Sequence, residues 1–192
     1  SIVNGSQHVA EAAAACGARL VHMSTDVIFP GRAAPYAEAD HPMPTIDYGR
    51  DKADAERAVM AACPTAVMIR TSLLYGTADL GHVQLDVQRA LNADPGTTPM
   101  TFFTDEYRSP VHAADVATAI AELARQTDVV GPINVAGPNA VSRADFARAT
   151  AQWMGLDSSR LKTGTIADAG LVRPARIVLD TSQATSLGIN CR

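Results

Sequence analysis

From Ser6 to Cys16 the chain is alanine-rich, with Val9, Ala13 and Cys16 at helical spacing and Gly17 placed to end the helix. A short apolar run, Arg19 to Ser24, follows and reads as a buried strand. It leads through Thr25 and Asp26 into a long loop rich in glycine and proline that closes near Pro44. Asp47 to Ala62 repeats the helical pattern, with Ala53, Ala55, Val59 and Met60 apolar and Asp47 as its expected N-cap. Thr65 to Ser72 is the next strand. Beyond it the pattern predicts a helix at Val83 to Leu91, a strand at Met100 to Thr104, a helix at Ala113 to Arg125, a strand at Pro132 to Val135 and a helix at Arg143 to Met154. Helices and strands that alternate in this way predict an α/β fold, a doubly wound and mostly parallel sheet whose ligands sit at the carboxyl ends of the strands. Thr25 and Ser72 fall at such ends. No internal repeat or low-complexity tract interrupts the order. The stretch from Asn139 to Arg192 is more loop-like, so a division into 1–138 and a small lobe at 139–192 is expected, with the lobes interleaved.

Composition narrows the class of partner. At 192 residues, 47% hydrophobic and 19% charged, the chain can bury a core without disulfides or metals. Its net charge of -4 is spread without acidic or basic blocks, which leaves no footprint for nucleic acid or an anionic membrane and points to a small molecule. No apolar run approaches a membrane span, and Ser1 to Leu20 lacks the layout of a signal peptide. Cys16, Cys63 and Cys191 form no CxxC pair and suit free, mostly buried thiols, hence a cytoplasmic protein. No His/Cys/Asp/Glu group has metal-ligand spacing.

Among sixteen basic residues only Lys52 and Lys162 are lysines, so a lysine one helical turn after a tyrosine stands out. Tyr48 and Lys52 lie at i and i+4 on one helix face and can address one site together. A phenol with a pKa near 10 is a poor proton carrier at neutral pH, and a neighbouring ammonium lowers that value. The alternative is a surface tyrosine beside a solvated lysine. Ser24 and Thr25 can be hydroxyls that cap a strand end, Asp26 a turn residue, and His22 a satisfied core histidine. Arg108 carries a planar, always-charged guanidinium that can bond an anion at two points; an isolated arginine is otherwise a surface residue.

The runs RLVHMSTDVIFPG and PYAEADHPMPTIDYGRDKADAE resemble the heart of the extended short-chain dehydrogenases/reductases, especially the dTDP-4-dehydrorhamnose reductase branch. IRTSLLYG at Ile69 to Gly76, DEYRSPVHAADVATAI at Asp105 to Ile120 and VAGPNAVSRADFA at Val135 to Ala147 continue the similarity, which spans most of residues 4 to 180. The resemblance implies a Rossmann-like fold and reduction of the 4-keto group of a nucleotide-linked 4-keto-6-deoxy sugar by NADPH or NADH. It makes Thr25, Tyr48 and Lys52 catalytic. Ser24, Tyr48, Lys52, Arg70, Thr71 and Ser72 become cofactor contacts, and Asp26, Val27 and Arg108 substrate contacts; Arg70 is the weaker of the arginines. A homodimer is compatible with it. Two features depart from the family. None of the thirteen glycines forms the GxxGxxG turn that brings backbone N–H groups to a pyrophosphate, and Val27 stands where the branch commonly has an aromatic. The expectation is therefore a piece of a longer reductase, or a naturally short relative without turnover. Two rivals remain: a regulatory subunit, like that of methionine adenosyltransferase, and a sugar-nucleotide epimerase or dehydratase.

Overall fold

The computed structural model describes residues 1–93 and 100–192. In chain order the first half holds α1 (Ile2–Cys16), β1 (Val21–Thr25), α2 (Asp47–Ala62), β2 (Val67–Thr71), β3 (Leu74–Tyr75) and α3 (His82–Leu91). The second holds β4 (Phe102–Phe103), β5 (Tyr107–Arg108), β6 (Val111–His112), α4 (Ala113–Arg125), β7 (Gly131–Val135), β8 (Val141–Ser142), α5 (Arg143–Trp153), β9 (Thr163–Gly164) and α6 (Ser182–Ser186).

The central sheet has the order β1-β2-β7, all parallel, in a register that sets Thr25, Thr71 and Val135 level at its carboxyl edge. Side chains along β2 alternate between two cores, as a pleated strand requires. Val67 and Ile69 pack with Val116, Ala119 and Leu123 of α4, and Met68 packs with Ala10 of α1 and Val59 of α2. Full burial of such aliphatic side chains stabilises the fold by roughly 1.5–3 kcal/mol each. With helices on both faces the sheet is doubly wound, as the alternation predicted.

Around this sheet the chain crosses back and forth. A third core joins Val87 and Leu91 of α3 and Phe102 of β4 to Ala144, Ala147 and Ala151 of α5. Short ladders β4-β9 and β5-β8 tie the same region together, whereas Ala184 of α6 returns to the core of the sheet. Elements on the two sides of residue 138 thus share cores and ladders.

Helix α1 begins at Ile2 instead of Ser6, because the Ser1 hydroxyl accepts from Asn4 N at 3.3 Å and caps it. Gly17 ends it in the left-handed conformation, φ 67°. Helix α2 has the expected span, but Asp47 is its first residue and not its cap; Ile46 holds the cap position without a side-chain bond, and Asp47 pairs with Arg50. The strand expected at Met100 to Thr104 shortens to Phe102–Phe103. All three cysteines are free, with Cys16 exposed, Cys63 buried and Cys191 between.

Candidate active site

Strand β1 ends in Thr25, and the chain turns at once through a single 3-10 turn, Asp26–Ile28. The half-buried Thr25 hydroxyl caps this turn through long contacts, accepting from Val27 N at 3.4 Å and donating to Asp26 Oδ1 at 3.4 Å. Bonds of that length are weak, so the hydroxyl hydrogen is free to turn to a better acceptor. Helix α2, packed against this turn, carries Tyr48 in its own first turn, 51% exposed, and Lys52 one turn on. The Lys52 ammonium reaches inward and donates to Met23 O of β1 at 2.5 Å. Burial holds its pKa below the usual lysine value, a pull partly offset by the Glu56 carboxylate.

Gly49 explains how closely α2 meets the turn. A Cβ there would overlap Val27 O and sit 3.0 Å from Pro44 Cβ. Gly49→Ala is therefore expected to push the first turn of α2 from Val27, displacing Tyr48 and costing about 1–3 kcal/mol through overpacking. A denaturation midpoint and a turnover measurement on one variant would check both effects.

Several expected ligand contacts prove to be framework. Arg70 is buried in a bidentate pair with Glu56, Nη2 to Oε2 at 2.7 Å and Nε to Oε1 at 3.1 Å, and its Nη1 donates to Glu38 O at 2.9 Å. With every nitrogen engaged inside the fold, it is not a cofactor contact. Asp26 is 0% exposed: Arg108 donates to both carboxylate oxygens, Nε to Oδ2 at 2.7 Å, and Ser72 Oγ donates to Oδ2 at 2.6 Å. Asp26 is not a substrate contact, and the Ser72 hydroxyl, which also accepts from Ser109 N at 3.2 Å, is a lock between loops and not a cofactor ligand. Arg108 is buried and neutralised by Asp26 instead of standing free for an anion. His22 is half-buried, and its Nε2 has no partner among the described residues, so it is not satisfied; burial and the Lys52 charge lower its pKa. Ser24 Oγ and Thr71 Oγ1 are likewise buried without a partner among the described residues, at the carboxyl edge of β1 and β2.

Beside this edge opens a cavity of about 260 Å³ with two unlike walls. One is apolar: Val27, Ile46, Leu171, Val172, Pro174 and Ile177, with Val27 two residues from Thr25 and Ile46 two from Tyr48. The other is charged: Glu106, Arg108 and Arg173. Arg173 donates to Glu106 Oε1 at 3.0 Å and lies 5.3 Å from the centroid of the Phe103 ring. A hydroxyl at a strand end, a phenol and an ammonium one helical turn apart, and a cavity with one greasy and one charged wall suit a polar molecule that carries a carbonyl and an apolar substituent.

The sequence match covers this arrangement from end to end: the model of the RmlD substrate-binding domain matches residues 2–192. The chain belongs to the RmlD substrate-binding domain family. Among its relatives, the dTDP-4-dehydrorhamnose reductase of Mycobacterium tuberculosis is 36% identical over 89% of this chain and 56% of that protein. The methionine adenosyltransferase 2 subunit beta of Rattus norvegicus is 31% identical over 99% of this chain and 58% of that protein. In fold, the dTDP-4-dehydrorhamnose reductase of Bacillus anthracis in complex with NADP superposes with a TM-score of 0.83 at 24% identity, over 97% of this chain and 66% of that one. The RmlD domain described here thus spans somewhat more than half the length of these curated relatives.

Gly49, Glu56, Glu106 and Arg173 of this RmlD domain are parts of the site that sequence reasoning missed. Gly49 had a local signal, since a glycine in the first turn of a helix weakens it without evident local reason. The charged residues had none, because their partners lie far away in sequence.

Proposed function

We propose that this RmlD domain is the catalytic and substrate-side part of a cytoplasmic reductase that acts on the 4-keto group of a nucleotide-linked 4-keto-6-deoxy sugar. The observation that carries the reading is the Thr25, Tyr48, Lys52 arrangement, with Lys52 drawn in to Met23 O at 2.5 Å beside the half-apolar cavity. Tyr48 acts as general acid and gives its phenolic proton to the ketone oxygen as that oxygen gains charge. The Lys52 ammonium stabilises the phenolate left behind, and the Thr25 hydroxyl donates a hydrogen bond to the same oxygen. Val27 and its apolar neighbours receive the deoxy end of the sugar, and the Arg108 wall faces its polar side.

NADPH or NADH supplies the hydride when bound. The residues here fit the nicotinamide end of such a cofactor. Lys52, whose ammonium has donors to spare beyond the one given to Met23 O, can bond the ribose, and the unpartnered hydroxyls of Ser24 and Thr71 can receive polar groups at the strand ends. The glycine turn for the pyrophosphate is not part of this sequence, so the fit extends to that end only.

A binding or regulatory role is the second reading, favoured by the 31% identity to the methionine adenosyltransferase subunit over nearly the whole chain. Calorimetric titration of this chain with a dTDP-sugar and, separately, with NADPH tests the site. Saturable sugar-nucleotide binding is expected, and its absence would overturn the reading. In the intact protein, NADPH oxidation driven by a 4-keto sugar nucleotide separates the reductase from a regulatory subunit, and turnover without NADPH loss would mark an epimerase or dehydratase.

A further inference from the structure

Helix α5 reverses the usual arrangement of an amphipathic helix. Its core stripe consists of alanines: Ala144, Ala147 and Ala151 are buried with Val87, Leu91 and Phe102. Its two large apolar side chains stand off that stripe, Phe146 half-buried and Trp153 53% exposed. A helix ordinarily turns its bulk inward, because burial of large apolar groups is what docks it. Phe146, Thr150 and Trp153 fall at i, i+4 and i+7 and so share one face.

That face lines a second cavity, of about 300 Å³, which has no residue in common with the cavity of the charged wall. Tyr75 of β3, Thr77 and Gln84 of α3 complete its lining, apart from small residues. Gln84 is spent on the loop before α3: its Oε1 accepts from Gly76 N and Gly81 N, each at 2.8 Å, and its Nε2 donates to Gly76 O at 2.9 Å. The Tyr75 ring is fixed by edge contacts to His112 and Phe146, with centroids 5.3 and 5.7 Å away. Aromatic residues make up only 5% of the chain, so three rings around one space set its chemistry.

Other rings of this chain already have cations. Guanidinium groups stand over Phe29, Tyr36, Phe103 and Tyr107, between 4.2 and 5.4 Å from the centroids. Among the described residues no guanidinium stands over Tyr75, Phe146 or Trp153. The negative face of an aromatic ring attracts a cation, that of tryptophan most strongly. With Gln84 committed, the hydroxyls of Thr77 and Thr150 are the side-chain groups left to bond a ligand. A primary ammonium or a guanidinium would bring more N–H donors than such a lining can satisfy. A quaternary ammonium brings none, and the net charge of -4 favours the approach of a cation.

We propose that this cavity is a second ligand site, one that binds the trimethylammonium group of a small choline-type molecule. The three rings border the charged head, and the Thr77 and Thr150 hydroxyls meet the polar end. The site goes beyond the reductase reading and does not depend on it.

Trp153 is the one tryptophan of the chain, so its fluorescence reports directly on this cavity. Choline and its uncharged carbon isostere, dimethylbutanol, are the probes. Choline is expected to change the emission saturably and to bind more tightly than the alcohol. Phe146→Leu, read by emission, and Trp153→Leu, read by calorimetry, keep apolar bulk without the ring face. Each should weaken choline about two- to thirty-fold and leave the alcohol unchanged, with the circular dichroism of the fold unaltered. A trimethyl-lysine peptide carries the same head group, and tighter binding of the peptide than of choline would overturn the assignment to a small molecule. Equal affinity for choline and the alcohol would overturn the inference, since the cavity would then read bulk and not charge. Choline binding that leaves the Trp153 emission and the affinity of both variants unchanged would do the same, because the ligand would sit elsewhere, and so would a chain that does not bind choline. None of these outcomes bears on the sugar-nucleotide titration that tests the reductase reading.

Discussion

Tyr48→Phe in the intact protein is expected to lower turnover of a 4-keto sugar nucleotide by about 10²–10⁴-fold, the range that a lost general acid removes, while substrate affinity changes little. The phenolic oxygen is the one heavy atom deleted, and Tyr48 is 51% exposed and belongs to no core cluster, so the variant should fold like the wild type. Steady-state NADPH oxidation decides the matter: an undiminished rate refutes the assignment of Tyr48. The wild-type rate should also have an alkaline limb set by Lys52. Its pKa is lowered by burial, so the ammonium is lost, and the phenolate loses its support, at a pH below that of an ordinary lysine. A rate that stays flat up to the ordinary lysine range would show that Lys52 does not act on Tyr48.

The largest effect on stability is expected from Glu56→Ala. Glu56 and Arg70 are both buried, their side chains 6% and 5% exposed, and the substitution leaves the guanidinium between α2 and β2 with the Glu38 carbonyl as its one remaining hydrogen-bond acceptor among the described residues and the Phe29 ring beside it. Breaking one partner of a buried pair costs about 3–5 kcal/mol. For a domain of this size that lowers Tm by roughly 6–20 °C. Thermal unfolding followed by circular dichroism would show it, and a shift within about 2 °C would mean that water reaches Arg70 and replaces the lost acid.

Two kinds of information separate what the chain reveals by itself from what only folding brings together. Helix α4 appears in the structure with the bounds that its periodicity predicts, Ala113–Arg125, and α2 likewise, because burial of one helical stripe is written locally. The placement of the catalytic candidates was legible for the same reason: Thr25 ends a strand, and Tyr48 and Lys52 lie one turn apart on α2. Asp26 and Arg108 are 82 residues apart, and neither shows on its own that it is half of a buried pair. Arg70, named a cofactor contact by the resemblance alone, gives no local sign of its buried pair with Glu56. Its partner Glu56 sits on the far side of a loop, on a helix face that periodicity marks as polar and only packing reveals as buried. The two-residue strands β3, β5, β6, β8 and β9 escaped notice because a segment of two cannot display an alternation.

The unequal walls of the cavity bear on how its specificity can change over generations. Asp26 joins the end of β1 to Ser72 and Arg108, so an altered side chain on the charged wall disturbs three loops at once and is selected against before any new ligand can reward it. Across the cleft, Leu171 is 48% and Val172 99% exposed, and little else depends on them. Variants that accept a different sugar should therefore arise on the apolar wall, at Val27, Ile46, Leu171 and Val172. The charged wall would be inherited unchanged, a fixed anchor beside a surface that is free to drift.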